Sequence, residues 1–279
     1  MECSISILSF SGMKTKPFLF FRNSSPFATT TKTALGYLKV RTLRNTMLIE
    51  DFDIYTRRSN QSHQCVHCYT QEPLPYWAKF NSWGFRGPEY TDLVGKPVNI
   101  CLGDSFTVNQ GDDVDNSWPS QLAEHLDTPT INLAVDGAGN DTIRIIHDRA
   151  QQIFDVQTVF VMYSYFFRRL DNGVLTTYRD IPIKENIEFF LDNYIKHAHY
   201  TFIPEWCWRK EEVDYLKQEH SKHLPDCYVH WELPLTAKIK HRIFHLRDNK
   251  VDVFNQDLHH MNKARNQKIA EYFLEKCNA

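Results

Sequence analysis

The chain has 279 residues, of which 42% are hydrophobic and 24% are charged. This composition is typical of a globular protein whose core needs no metal or disulfide to hold it together. The formal net charge of −2 gives no electrostatic case for binding nucleic acid or an anionic membrane surface. No apolar run approaches the roughly 20 residues of a membrane span. Seven scattered cysteines favour a reducing compartment, so we expect a cytoplasmic protein.

The first 46 residues differ in composition from the rest. Glu2 is their only acidic residue, whereas Lys, Arg, Ser and Thr recur throughout. An organelle transit peptide has this composition, but a disordered leader has it too, and Met47 is an alternative start. We favour the disordered leader, leave organelle targeting open, and expect one folded domain over residues 47–279.

Residues 47–97 are predicted to be an ordered but irregular lead-in. Cys65 and Cys68 form a CxxC motif there, with His63 and His67 nearby. Zinc would need further ligands at suitable spacing, and the chain has no second CxxC, so we interpret these cysteines as ordinary thiols and expect no metal or cofactor. The segment 81–88 contains two glycines and a proline, which predicts a turn that tucks under the sheet.

From residue 98 onward, short β-branched runs alternate with segments of helical periodicity. This alternation is typical of a parallel sheet with helices on both faces, so we predict a three-layer α/β/α domain. The charged and aromatic stretch 206–246 is predicted to be an insertion. The predicted strands are 98–102, 130–135, 158–163, 200–203 and 227–230, and the predicted helices are 117–126, 141–154, 187–197 and 262–277, the last with Ala264, Ile269, Tyr272 and Phe273 inward.

Three polar segments are candidates for the site, because open α/β sheets place functional groups at the carboxyl ends of their strands. The first is Gly-Asp-Ser at 103–105. The second is the glycine-containing segment 132–141, whose backbone N–H groups can approach a ligand closely. The third is Asp-Leu-His-His-Met-Asn at 257–262, just ahead of the last predicted helix.

Ser105 is a candidate nucleophile if a base can reach it. Asp257 and His260 are three residues apart across a turn, so the carboxylate can hold one imidazole nitrogen while the other faces the serine. Alternative interpretations remain open: Ser105 or Asp104 can cap a helix, and His260 can be a surface histidine with His259 as the base instead.

The order of these segments resembles the SGNH, or GDSL-type, hydrolase superfamily from about residue 80 to the C-terminus. The resemblance implies a flavodoxin-like, mainly parallel sheet and favours catalysis over the alternatives. By this resemblance Ser105 is the nucleophile, His260 is the base and Asp257 is its partner. The backbone N–H groups of Ser105 and Gly137 are then the oxyanion donors.

One family feature is missing, because an asparagine is expected after the strand 158–163 and this chain has Ser-Tyr-Phe-Phe-Arg-Arg at 164–169. Losing one oxyanion donor typically costs on the order of a hundredfold in rate. Asn140 is our first substitute because it lies three residues after Gly137, and Arg168 or Arg169 offers charge. Other candidates for contacting the oxyanion or the substrate are Asp104, Ser164, Tyr165 and Arg168; the two arginines can instead bind an anionic substrate group or form a solvated pair.

The sequence therefore predicts a serine esterase that acts on a small-molecule or carbohydrate ester, for example an acetylated sugar or a lipid. One alternative is an acyltransferase that passes the acyl group to a sugar hydroxyl with the same triad. A second alternative is a catalytically silent module that binds carbohydrate or protein in the same cleft. The oligomeric state is left open.

Overall fold

The computed structural model describes residues 61–66, 73–203, 211–212 and 260–278. Short 3-10 helices cover Thr91–Leu93 and Val114–Asn116. The described strands are β1 (Ser62–Val66), β2 (Pro73–Lys79), β3 (Pro97–Leu102), β4 (Thr130–Asn132), β5 (Asp155–Tyr163), β6 (Arg168–Asp171), β7 (Val174–Thr177) and β8 (His199–Phe202). The described α-helices are α1 (Ser105–Val108), α2 (Trp118–Ala123), α3 (Asn140–Ile153), α4 (Ile183–Asn193) and α5 (Lys263–Cys277).

Within the described residues, the central sheet has four parallel strands in the order β4-β3-β5-β8. The first strand of the sheet in the chain is therefore internal, the second lies at one edge, and the third and fourth follow on the other side. This is the beginning of the flavodoxin-like order. The prediction of a mainly parallel sheet is confirmed.

Successive residues of the internal strands point to opposite faces of the sheet, as the pleat requires. On one face, Val161 packs in a core with Ile146 of α3 and Phe190 of α4. On the other face, Phe160 packs with residues of α2 and α5, including Phe273. Because both faces are covered by helices, the domain has the predicted three layers.

Several predicted boundaries shift in the structure. β4 ends at Asn132 rather than at 135, and α2 ends at Ala123 rather than at 126. α4 begins at Ile183, four residues before the predicted start. The predicted strand 227–230 and most of the insertion 206–246 lie outside the described residues.

The inward face of α5 is only partly as predicted. Ile269 and Phe273 are buried and Tyr272 is half-buried, but Ala264 is exposed, so its predicted inward position is wrong. Asn266 takes the inward position of the first turns instead, because its side chain donates a hydrogen bond to Asn109 Oδ1 at 3.0 Å.

The lead-in contains an antiparallel pair, β1 and β2, that the sequence analysis does not predict. The segment 81–88 does turn under the sheet, since the side-chain oxygen of Asn81 accepts the N–H groups of Trp83 and Phe85 and both rings are buried in the core. Among the described residues, no helix is long and apolar enough to cross a membrane.

Candidate active site

Ser105 is buried and is the first residue of α1, three residues after β3 ends at Leu102. The helix cap is Asp104, whose carboxylate oxygen Oδ1 accepts the N–H of Phe106 at 3.0 Å. The capping interpretation therefore applies to Asp104. The Ser105 hydroxyl is therefore not needed as a cap.

His260 is buried just before α5, so the surface interpretation of this histidine is wrong. Its ring centroid lies 4.8 Å from that of Phe106, the residue after the candidate nucleophile. Asp104 precedes Ser105, and burial raises the pKa of its carboxyl; His260 is close enough to be one of the groups that oppose this rise. The fold thus brings His260 to the turn that carries Ser105. Asp257 and the alternative base His259 lie outside the described residues.

Two asparagines of the last segment hold this histidine in place. The side chain of Asn262 caps α5 by accepting the N–H of Arg265 at 3.0 Å. Asn266 joins the helix to Asn109, the residue at the end of α1, through the bond already described. Because α5 is fixed to the end of α1, His260 and Ser105 are held relative to each other.

The glycine-containing segment lies beside the turn at 103–105, which is called the nucleophile turn after its candidate nucleophile Ser105. The N–H of Val135 donates to the carbonyl of Gly103 at 3.1 Å, and the side chain of Asn132 donates to the carbonyl of Thr107 at 3.0 Å. Gly137 has a φ of 76°, a left-handed conformation that glycine adopts without strain. Gly137 remains our predicted oxyanion donor.

Asn140 is buried and already fully engaged. Its amide nitrogen donates to the carbonyl oxygens of Ser164 at 3.1 Å and Tyr165 at 3.4 Å, and its side-chain oxygen accepts the N–H of Ser164 at 2.9 Å. These bonds join the start of α3 to the end of β5. To donate to an oxyanion, Asn140 would have to release one of them.

A charged cluster occupies the end of β5, where the family asparagine is expected. The fully buried carboxylate of Asp104 accepts the Ser164 hydroxyl at 2.6 Å and a guanidinium N–H of Arg168 at 3.1 Å. Burial raises the pKa of Asp104, and the charge of Arg168 and the Ser164 hydroxyl oppose that rise. The guanidinium also lies 4.4 Å from the ring centroid of Tyr165. The Arg168 side chain is 24% exposed, so part of it can contact a ligand.

The neighbouring arginine points elsewhere. Arg169 donates to the side chain of Asn186 at 2.8 Å, and its guanidinium lies 4.1 Å from the ring centroid of Phe189. Both partners belong to α4. Only Arg168 of the two faces the nucleophile turn, and the interpretation as a solvated pair is wrong for these side chains.

The hairpin formed by β6 and β7 is the part of the site that the sequence analysis misses. It lies against the glycine-containing segment, since a side chain at Gly139 would come within 2.5 Å of the Arg168 carbonyl oxygen. The turn residues Asn172 and Gly173 both have positive φ, at 48° and 78°. An Asn-Gly pair is the strongest short signal for a two-residue hairpin, and it is visible in the sequence.

Among the described residues, no group of three or more His, Cys, Asp or Glu side chains is arranged to hold a metal ion. Cys65 is a buried free thiol in β1, while Cys68 lies outside the described residues.

No family model and no curated protein matches the chain. Solved structures that match include a psychrotrophic esterase, EstA, from Pseudoalteromonas sp.. Its sequence identity is 15%, the match covers 65% of this chain and 96% of that chain, and the TM-score is 0.37. A member of the lipolytic protein G-D-S-L family from Veillonella parvula matches with 12% identity, 64% and 97% coverage and a TM-score of 0.39. The catalytic domain of peptidoglycan O-acetyltransferase A from Streptococcus pneumoniae matches with 15% identity, 66% and 94% coverage and a TM-score of 0.36.

The chain resembles the SGNH/GDSL-type hydrolases. The sequence segments that carry this resemblance are Gly-Asp-Ser at 103–105, the glycine-containing segment 132–141 and Asp-Leu-His-His-Met-Asn at 257–262. At these TM-scores, the function proposed below rests on the residues and contacts of this chain.

Proposed function

We propose that this protein is a serine esterase of the SGNH/GDSL type that cleaves a carboxylic ester through an acyl-enzyme. The observation that carries the proposal is the position of His260, whose buried ring packs on Phe106 beside Ser105. A serine on a strand-to-helix turn with a buried imidazole at the same turn is the arrangement that nucleophilic catalysis needs.

The chemistry follows from this arrangement. His260 removes the proton of the Ser105 hydroxyl as its oxygen attacks the ester carbonyl carbon. The tetrahedral intermediate then breaks its bond to the alcohol oxygen, which leaves with the proton from His260. Water, activated by His260 in the same way, cleaves the acyl-enzyme and releases the acid. We assign Asp257 the role of holding the imidazole in the required tautomer.

The oxyanion is assigned to the backbone N–H groups of Ser105 and Gly137 and to the guanidinium of Arg168. Arg168 is a better substitute for the missing asparagine than Asn140, whose side-chain bonds are already used. Guanidinium carries five N–H donors, and only one of its nitrogens contacts Asp104. Asp104, with Ser164, then acts by holding this cation beside the nucleophile.

The direct test replaces Ser105 with Ala and measures hydrolysis of a small activated acetate ester. We expect the hydrolysis rate to fall at least about a thousandfold, because the proposed nucleophile is removed. The circular dichroism spectrum should stay unchanged, because only one hydroxyl is lost. Ser82→Ala is the matched control, since that hydroxyl binds Glu89 in an exposed position. Comparable activity in Ser105→Ala and the parent would overturn the assignment.

Two measurements on the parent protein distinguish the esterase from its two alternatives. Reaction of Ser105 with a fluorophosphonate probe is expected for an esterase and for an acyltransferase. Dominant transfer to an added acceptor alcohol at low concentration would favour the acyltransferase. A folded protein that fails to react with the probe would favour a silent binding module.

A further inference from the structure

The β6–β7 hairpin presents one defined face to the candidate site. Its register pairs Arg168 with Thr177 and Leu170 with Leu175. Because alternate residues of a strand share a face, Arg168, Leu170 and Leu175 lie on the same side of the hairpin. Arg168 of that face contacts Asp104, which precedes the nucleophile.

The other end of the same face lies on the predicted oxyanion glycine. A β-carbon at Gly137 would be 3.6 Å from Cδ1 of Leu175, which is ordinary van der Waals contact. Leu175 is 38% exposed, so the rest of its side chain is open beside Gly137. The inner face thus has a cationic end at the nucleophile turn and an apolar end at Gly137.

The hairpin is fixed in this position by three anchors. The N–H of Leu170 donates to the carboxylate of Asp141 at 2.6 Å, at the start of α3. The N–H of Tyr178 donates to the carbonyl of Phe167 at 2.7 Å and closes the base of the hairpin. Arg169 joins its outer face to α4. A wall held in this way can discriminate between substrates, because its side chains keep their positions.

We propose that Leu175, with Leu170 beside it, binds the acyl chain of the substrate, so that the preferred ester carries an apolar acyl group longer than acetyl. This inference rests on the esterase function proposed above. The acyl oxygen is assigned to the Gly137 N–H, and the acyl group stays in the site through both steps of the reaction. Each methylene that Leu175 shields from water therefore favours the longer acyl chain by up to about fourfold.

The outer face of the hairpin supplies a matched control. Val174 pairs with Asp171, on the face opposite to Leu175, and is 55% exposed. It is apolar and lies next to Leu175 in the same strand, but it points away from Gly137. Threonine is the replacement at both positions because it removes apolar surface and its β-branched side chain suits a strand.

The experiment compares kcat/KM for p-nitrophenyl acetate, butyrate and hexanoate in the parent, Leu175→Thr and Val174→Thr. We expect the ratio of hexanoate to acetate to fall about tenfold in Leu175→Thr and to stay unchanged in Val174→Thr. Leu175→Met should keep the parental ratio, because it retains an apolar side chain of similar length. An unchanged ratio in Leu175→Thr, or an equal fall in Val174→Thr, would overturn the proposal.

A second series keeps the acetyl group and lengthens the alcohol from ethyl to hexyl. A loss in Leu175→Thr confined to this series would assign the hairpin to the alcohol and overturn the acyl-chain proposal. If Leu175→Thr fails to fold, Leu175→Ala takes its place in both series. A parent protein that hydrolyses none of these esters overturns the esterase function as well, whereas an active parent with unchanged ratios in the variant overturns only this inference.

Discussion

Three donors converge on the carboxylate of Asp104, and they explain how a buried acid is tolerated one residue before the proposed nucleophile. Phe106 supplies a backbone N–H to one oxygen, while the Ser164 hydroxyl and Arg168 bind the other. Burial without such partners would be costly for the charged form. The same carboxylate therefore caps α1 and holds the guanidinium in the site.

At Arg168 we expect replacement by Met to lower kcat/KM for an acetate ester about a hundredfold, because a donor to the developing oxyanion is lost. Arg169→Met should stay within about threefold of the parent, since that side chain contacts α4. Arg168→Lys should restore part of the rate through its charge. Equal losses in Arg168→Met and Arg169→Met would contradict the assigned role.

The same substitution has a predicted pH dependence in stability. Burial raises the pKa of Asp104 above its ordinary value of 3.8, and Arg168 limits the rise. Without Arg168 the pKa is higher, so the folded variant binds a proton that the unfolded chain has lost. As pH rises from the pKa of Asp104 in the unfolded chain to its higher pKa in the folded variant, the stability of the variant therefore falls more than that of the parent.

We expect Arg168→Met to be destabilised by about 2 kcal/mol at neutral pH and by much less at acidic pH, where Asp104 is protonated. Urea unfolding of parent and variant at both pH values measures the difference. In a protein that already carries Asp104→Asn, the destabilisation caused by Arg168→Met should be the same at both pH values. A destabilisation that is the same at both pH values would show that the charge of Asp104 is not its cause.

The β6–β7 hairpin is the element that shapes the site, and its position depends on one carboxylate. Asp141 accepts the N–H of Leu170 at 2.6 Å and also the N–H of Thr142 at 2.7 Å. It thus joins the start of α3 to the hairpin. The Asn-Gly turn supplies the twist that two short strands need to pair.

Replacing Asp141 with Ala should loosen this hairpin, because a hydrogen bond to a charged acceptor is worth about 1.5–3 kcal/mol. Amide hydrogen exchange should show faster exchange in β6 and β7, with the central sheet less affected. Asp148→Ala is the control on the same helix, since Asp148 forms an exposed ion pair with Arg144 that is worth at most about 1 kcal/mol. Unchanged exchange in the hairpin of Asp141→Ala would contradict its anchoring role.

Across the whole sheet, the two faces have separate cores, and the one with α5 supports His260. Phe273 of that helix packs against Trp118 of α2 and Phe160 of β5, with ring centroids 4.9 and 5.3 Å away. A helix docked through large buried rings keeps the residues at its start in place. The position of the proposed base thus depends on aromatic packing far along the chain.

We expect Phe273→Ala to lower the free energy of unfolding by about 3–5 kcal/mol, through lost burial and the cavity it leaves. Glu275→Ala, an exposed position in the same helix, should change it by no more than about 0.5 kcal/mol. Denaturant unfolding measures both variants. A small effect of Phe273→Ala would mean that α5 contributes little to the core.

The sheet and the nucleophile turn could be predicted from the sequence because their signals are local. β-branched runs predict β3 and β5, helical periodicity predicts α3 and α5, and the polar residues directly after β3 mark Ser105. The β6–β7 hairpin could also have been predicted, because the sequence contains its Asn-Gly turn. The predicted strand 227–230 and the role of Asp257 stay predictions.

The sequence by itself determined the layered parallel sheet and the serine at its carboxyl edge, because chain-local periodicity sets both. Only the tertiary structure decided which arginine lies against Asp104, since adjacent strand residues point to opposite faces and the hairpin register places Arg168 on the face toward Asp104. It likewise showed that Asn140 is engaged by Ser164, a partner 24 residues away. Contacts between distant segments depend on how elements pack, and no local pattern encodes that packing.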